Sequence, residues 1–89
     1  MDYAQFHDLV ETTIRGMYDR IPAKYHKGLE ELLEVGELRL AVDQLIGGLA
    51  RFNTPVTPAE RNSLARMLAR LKEPESRLDD LNVVEASRS

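Results

Sequence analysis

Residues 31–45 read ELLEVGELRLAVDQL, two leucine-rich runs dense in acid and divided by one glycine. Leu29, Leu32 and Leu33 precede Gly36 at helical intervals, and Leu38, Ala41, Val42, Leu45, Ile46, Leu49 and Phe52 resume the same rhythm after it. Intervals of three and four put apolar side chains on one face of an α-helix. Glycine is the usual residue for the left-handed conformation that stops one. The stretch therefore predicts two helices joined by so short a turn that they fold back as an αα-hairpin.

Working outward, Pro22 suits the first turn of the earlier hairpin helix, which is expected from Pro22 to Val35 with Tyr25 also on its apolar face. Before it, Asp2 can cap a helix whose stripe is Tyr3, Phe6, Val10, Ile14, Met17 and Ile21, with Pro22 as the stop. Gly47 and Gly48 interrupt the later hairpin helix at about 1 kcal/mol each relative to alanine, and mark either a kink or a place where another helix crosses closely, the close crossing being the favoured expectation. The segment NTPVTPAE, 53–60, is a clear break, with Thr57, Pro58 and Glu60 forming a capping box that has proline at the first helical position. A fourth helix follows over Pro58–Lys72, burying Leu64, Met67, Leu68 and Leu71, until Pro74. Residues 75–84 add a short turn packing Leu78 and Leu81, and 86–89 are expected to fray from a single domain spanning 1–85. Sustained alternation is missing and valines are few, so no sheet is expected. The predicted class is all-α: a compact single-domain bundle of four helices plus a short C-terminal helical turn.

Composition narrows the function classes. A chain of 89 residues buries only about 60–65% of its unfolded surface, which leaves little room for a deep catalytic cleft. Its 43% hydrophobic share suffices for a core, and its 30% charged share argues against membrane and disordered classes. Cysteine is absent, which removes disulfides, thiolate catalysis and cysteine-bound zinc. Asp2, Asp8 and Glu11 near the start do not resemble a secretory leader, and no apolar run reaches the roughly 18 residues of a membrane span; a cytoplasmic protein is expected.

Catalytic chemistry finds no foothold. His7 and His26 lack an HExxH spacing and read as surface or rim residues, so no metal is expected. None of Ser63, Ser76, Ser87 and Ser89 sits in a nucleophile turn, and the Gly47-Gly48 pair follows no strand, so it is no phosphate loop. Adjacent acids such as Glu30-Glu31 or Asp79-Asp80 point in different directions on a helix. No enzyme activity and no cofactor are expected.

Charge is unevenly placed although the net value is only −3. Between 30 and 43 the acids Glu30, Glu31, Glu34, Glu37 and Asp43 face Arg39 alone, a balance of −4. Between 59 and 72, Arg61, Arg66, Arg70 and Lys72 face Glu60, a balance of +3. The basic stripe has no interleaved aromatics and no overall positive excess, so it reads as a solvated or paired face and direct nucleic-acid binding is not expected. Glu34 lies near a helix C-terminus, where the backbone dipole disfavours negative charge. The acids are either an ordinary solvated face or a surface for a basic partner.

The stretch 19–49, DRIPAKYHKGLEELLEVGELRLAVDQLIGGL, resembles the MafI-type immunity proteins, small bacterial antitoxins encoded beside secreted polymorphic toxins. The likeness rests on Arg20-Ile21-Pro22, the leucine-rich 29–33, Gly36-Glu37 and Leu40-Ala41-Val42-Asp43-Gln44-Leu45, with the proline loop of 54–60 before a last long helix. It spans residues 19–72, and Gly47-Gly48 has no place in the family pattern. The resemblance implies a non-enzymatic protein that binds the C-terminal domain of a cognate toxin, many such toxins being nucleases with basic clefts. Glu30, Glu31, Glu34, Glu37 and Asp43 are then the expected partner-binding residues, chosen on charge. The competing expectation is a structural or regulatory protein that forms a homodimer through apolar helix faces.

Overall fold

A computed structural model describes residues 1–84, and the expected frayed tail at 86–89 lies outside the described residues. The chain is an all-α domain of four helices: α1 (Tyr3–Gly16), α2 (His26–Glu34), α3 (Leu38–Arg51) and α4 (Pro58–Leu71). A 3₁₀ turn at Glu75–Leu78 supplies the short C-terminal helical piece.

Helix α1 begins as the sequence predicts. The Asp2 carboxylate accepts from the Gln5 amide at 2.8 Å and the Gln5 side chain accepts from the Asp2 amide at 3.0 Å, satisfying two amides that a helix start leaves open. Phe6, Val10 and Ile14 are buried, whereas Tyr3 is 55% exposed. The helix stops at Gly16, five residues before the expected end at Ile21. A 3₁₀ turn over Tyr18–Arg20 follows and lets Met17 drop fully into the core. Arg20 caps the vacated end, its Nη2 donating to the Gly16 carbonyl at 3.1 Å.

Pro22 opens a second 3₁₀ turn, Ala23–Tyr25, so α2 starts four residues later than Pro22. Its far end is as expected. Gly36 has φ +78°, and the amides of Gly36 and Glu37 donate back to Leu33 and Leu32 at 3.2 and 2.9 Å, the paired closure of a Schellman turn. Antiparallel α3 follows and packs chiefly on α2, confirming the hairpin.

Leu38, Ala41, Val42, Leu45, Ile46 and Leu49 of α3 are buried against Phe6, Val10 and Ile14 of α1 and Leu64, Met67 and Leu68 of α4. Each such aliphatic side chain contributes about 1.5–3 kcal/mol on leaving water. Phe52 is the exception on its stripe at 43% exposed, and Tyr25 on α2's approach is 37% exposed. The expected close crossing at Gly47 and Gly48 does not occur: a Cβ built on either meets nothing within 4 Å.

The α3–α4 linker carries the capping box as read, with the Thr57 hydroxyl accepting from the Glu60 amide at 3.1 Å and the Glu60 carboxylate accepting from the Thr57 amide at 2.9 Å. It also holds a feature the pattern conceals. Pro55-Val56 (β1) pairs in parallel with Asn82-Val83 (β2), and the Val84 amide donates to the Val56 carbonyl at 2.8 Å. Two-residue strands cannot alternate long enough to be recognised in a sequence. Asn53 (φ 50°) and Lys72 (φ 61°) close α3 and α4 in the same left-handed way as Gly36 closes α2.

Candidate partner-binding site

The five predicted acids divide into two groups. Glu30 is gripped from α1: Arg15 Nη1 and Nη2 donate to its two carboxylate oxygens at 2.8 and 3.0 Å, and the Tyr18 hydroxyl donates to the same carboxylate. Arg15 in turn reaches Glu11 at 3.1 Å. The Tyr18 hydrogen bond first, and Arg15 next, hold the Glu30 carboxyl below its ordinary value. Asp43 on α3 accepts from Arg77 Nη1 at 2.8 Å, which ties the C-terminal 3₁₀ turn to the hairpin. Both carboxylates are therefore committed to internal partners.

Glu31, Glu34 and Glu37 are exposed, and among the described residues no hydrogen bond or ion pair reaches their side chains. Glu31 of α2 and Val35, the residue that caps its end, are four apart and so share a face, with Glu34 beside them and Glu37 just past the glycine turn. Val35 is 69% exposed and Leu40, one turn into α3, is 48% exposed. The hairpin tip thus carries uncompensated carboxylates around bare aliphatic surface. Gly36 at its centre is packed from outside by Tyr3, whose hydroxyl would lie 2.6 Å from any added Cβ. Tyr3, read from the sequence as a core position, instead braces the tip.

The basic stripe is occupied only in part. Arg61 pairs with Glu75 at 3.0 Å, Arg77 with Asp43, and the Arg70 guanidinium lies 5.3 Å from the Phe6 ring centroid, its stem covering the core edge. Arg39, the lone cation of the acidic stretch, donates to Glu73 at 2.7 Å and to the Leu71 carbonyl at 3.2 Å. Of the stripe, Arg66 and Lys72 have no carboxylate partner among the described residues, and no cation of the stripe pairs with the tip acids.

The histidines are structural. His7 Nε2 donates to the Leu33 carbonyl at 3.1 Å, joining α1 to the C-terminal turn of α2. His26 stacks on Tyr18 with ring centroids 4.1 Å apart, and its Nε2 faces the carbonyls of Tyr18 and Ile21 at 3.0 and 2.9 Å. A nitrogen between two carbonyls must carry the proton, because carbonyls only accept. Neither histidine was legible as a tie, since the acceptors are backbone atoms 26, 8 and 5 residues away. Among the described residues no group of three or more histidine, aspartate or glutamate side chains is placed to hold a metal ion. No described helix is long and apolar enough to cross a membrane.

A concavity that the sequence pattern does not announce lies at the other end of the hairpin. A groove of about 460 Å³ lies between the start of α2 and the end of α3, with Tyr25 and Phe52 as its aromatic walls. The available signal was the spacing of Gly48 and Phe52, four residues apart at the end of α3, which sets bare backbone one turn from an aromatic ring. Comparison of the chain with protein families, with curated proteins and with solved structures returns no match.

Proposed function

We propose that this chain is an immunity protein that binds the C-terminal domain of a cognate secreted toxin and neutralises it by occupying its surface. The observation that carries the reading is the set Glu31, Glu34 and Glu37 around Gly36, left without cations in a molecule that pairs Glu30, Asp43, Glu60, Glu73 and Glu75 internally. Like charges gathered at a helix C-terminus reduce stability by a few tenths of a kcal/mol each. Such a placement has a use when a cationic target supplies the missing counterions. A nuclease toxin offers that target in its phosphate-binding cleft, where the tip would stand in for nucleic-acid phosphates and the exposed Val35 would add an apolar anchor. Glu30 and Asp43 support from behind, fixing α2 on α1 and the C-terminal turn on α3. The likeness of residues 19–49 to MafI-type proteins supports the same reading.

The test is a triple charge reversal, Glu31→Lys with Glu34→Lys and Glu37→Lys. Circular dichroism and Tm should stay near wild type, because exposed charges carry little stability. Protection of cells expressing a cognate toxin should be lost. Full protection by the folded variant removes the acidic tip as the binding surface.

A further inference from the structure

We propose that the groove at the opposite end of the hairpin binds a small amphipathic anion, a ligand with an apolar body and one carboxylate-like head. The site is independent of the acidic tip. Its volume, about 460 Å³, falls within the roughly 300–1,000 Å³ typical of small-ligand sites. Leu29, Leu45 and Leu49 line its base, and the Tyr25 and Phe52 rings stand 5.6 Å apart at its wall, both more than a third exposed.

Two features say what would fill it. First, Gly47 and Gly48 line the groove, and the space where their Cβ atoms would stand is open. Glycines weaken a helix interior, and no segment of the described chain crosses these two closely enough to require them. What they provide is bare backbone against which a foreign apolar body can lie. Second, the charge here has the opposite sign to the tip. The only charged residue lining the groove is Arg51, its guanidinium 5.8 Å from the Phe52 centroid, and Lys24 Nζ sits 5.4 Å from the Tyr25 centroid. Among the described residues neither cation has a carboxylate partner, and no acid lines the groove. Gln44 and Thr54 add hydrogen-bonding groups to the lining. The apolar body therefore lies on the glycines and against the paired rings, and the anionic head meets Arg51, with Lys24 on the Tyr25 ring adding positive charge at the rim.

The experiment titrates the isotopically labelled protein with decanoate, below its micelle-forming concentration, and follows amide shifts by NMR. Decyltrimethylammonium, with the same chain and the opposite charge, is the control. Saturable shifts are expected at Leu29, Gly47, Gly48 and Phe52, with decanoate bound about tenfold more tightly than the cation. Lys24→Gln with Arg51→Gln should erase that preference, and Gly48→Leu, which projects into open space, should abolish binding while the helical spectrum is kept. The proposal fails if decanoate gives no saturable shift, if the cation binds equally well, or if the folded Gly48→Leu protein still binds. Sedimentation with phosphatidylglycerol vesicles without saturable decanoate binding would assign the groove to a membrane surface. Shifts at the same amides on raising protein concentration alone, without ligand, would assign it to a second copy. Either result overturns the proposal.

Discussion

Arg20 and Glu60, forty residues apart, form a two-pronged ion pair with N–O distances of 2.8 and 2.5 Å. The same guanidinium donates to the carbonyls of Pro55 and Gly16, so one side chain joins the end of α1, strand β1 and the cap of α4. Both partners are largely shielded, at 27% and 21% side-chain exposure. Arg20→Gln should cost about 2 kcal/mol, the scale of hydrogen bonds to charged groups, read as a lower urea midpoint.

The pH dependence of that loss follows from Glu60. Arg20 chiefly, and the Thr57 amide with it, hold the Glu60 carboxyl below its ordinary value of 4.5, against an opposing effect of burial. A depressed carboxyl contributes stability that is complete above the ordinary value and vanishes as pH falls through the lowered one. Urea midpoints of the wild type should therefore drop on acidification below about pH 4.5, and those of Arg20→Gln should drop less over that interval. Equal acid slopes would show that the pair does not set the acid limb.

Tyr18 should titrate late. Burial first, and the hydrogen bond to Glu30 second, push its phenol from 10.0 up to about 12. A raised folded value means stability is complete below the ordinary phenol value and declines as pH rises from 10 through 12. Tyrosinate absorbance should show a step near pH 12 that Tyr18→Phe removes.

The glycines are predicted to respond in opposite directions. Gly36→Ala should lower stability by about 1–2 kcal/mol, because φ is +78° and the new methyl meets the Tyr3 hydroxyl. Gly48→Ala meets nothing and should raise stability by about 1 kcal/mol, or roughly 4–8 °C in Tm. Thermal melts of the two variants decide both.

If the acidic tip steers a basic toxin, encounter must weaken in salt. Raising ionic strength from about 0.05 to about 0.5 M should slow association by about tenfold or more in stopped flow, with a smaller change in dissociation. Neutralising Glu31, Glu34 and Glu37 to glutamine should flatten that salt response.

The hairpin, the α1 cap and the α4 capping box were legible because each depends on neighbours within four residues. Gly36 is the clearest case, since one residue type and a change of helical phase suffice to place the turn. What stayed hidden depends on distant partners. Helix α1 stops early because Met17 finds a site in the core and Arg20 reaches back to Gly16, neither of which its periodicity encodes. Tyr3, Tyr25 and Phe52 fit apolar stripes by spacing yet sit at stripe ends, beyond the area that neighbouring helices cover. The division of the candidate site is similar. Charge density marked all five acids, but the partners Arg15 for Glu30 and Arg77 for Asp43 lie 15 and 34 residues away.

The pairing of β1 with β2 has a bearing on biosynthesis. Asn82-Val83 secures the linker ahead of α4, where Val56 is wholly enclosed and Leu78 and Leu81 complete the wall. During translation the helical hairpin can assemble on leaving the ribosome, while this latch waits until Val84 has cleared the exit tunnel. Until then the 53–57 linker lacks its strand partner, and nascent chains halted before that point should be cleaved there by proteases that spare the finished domain.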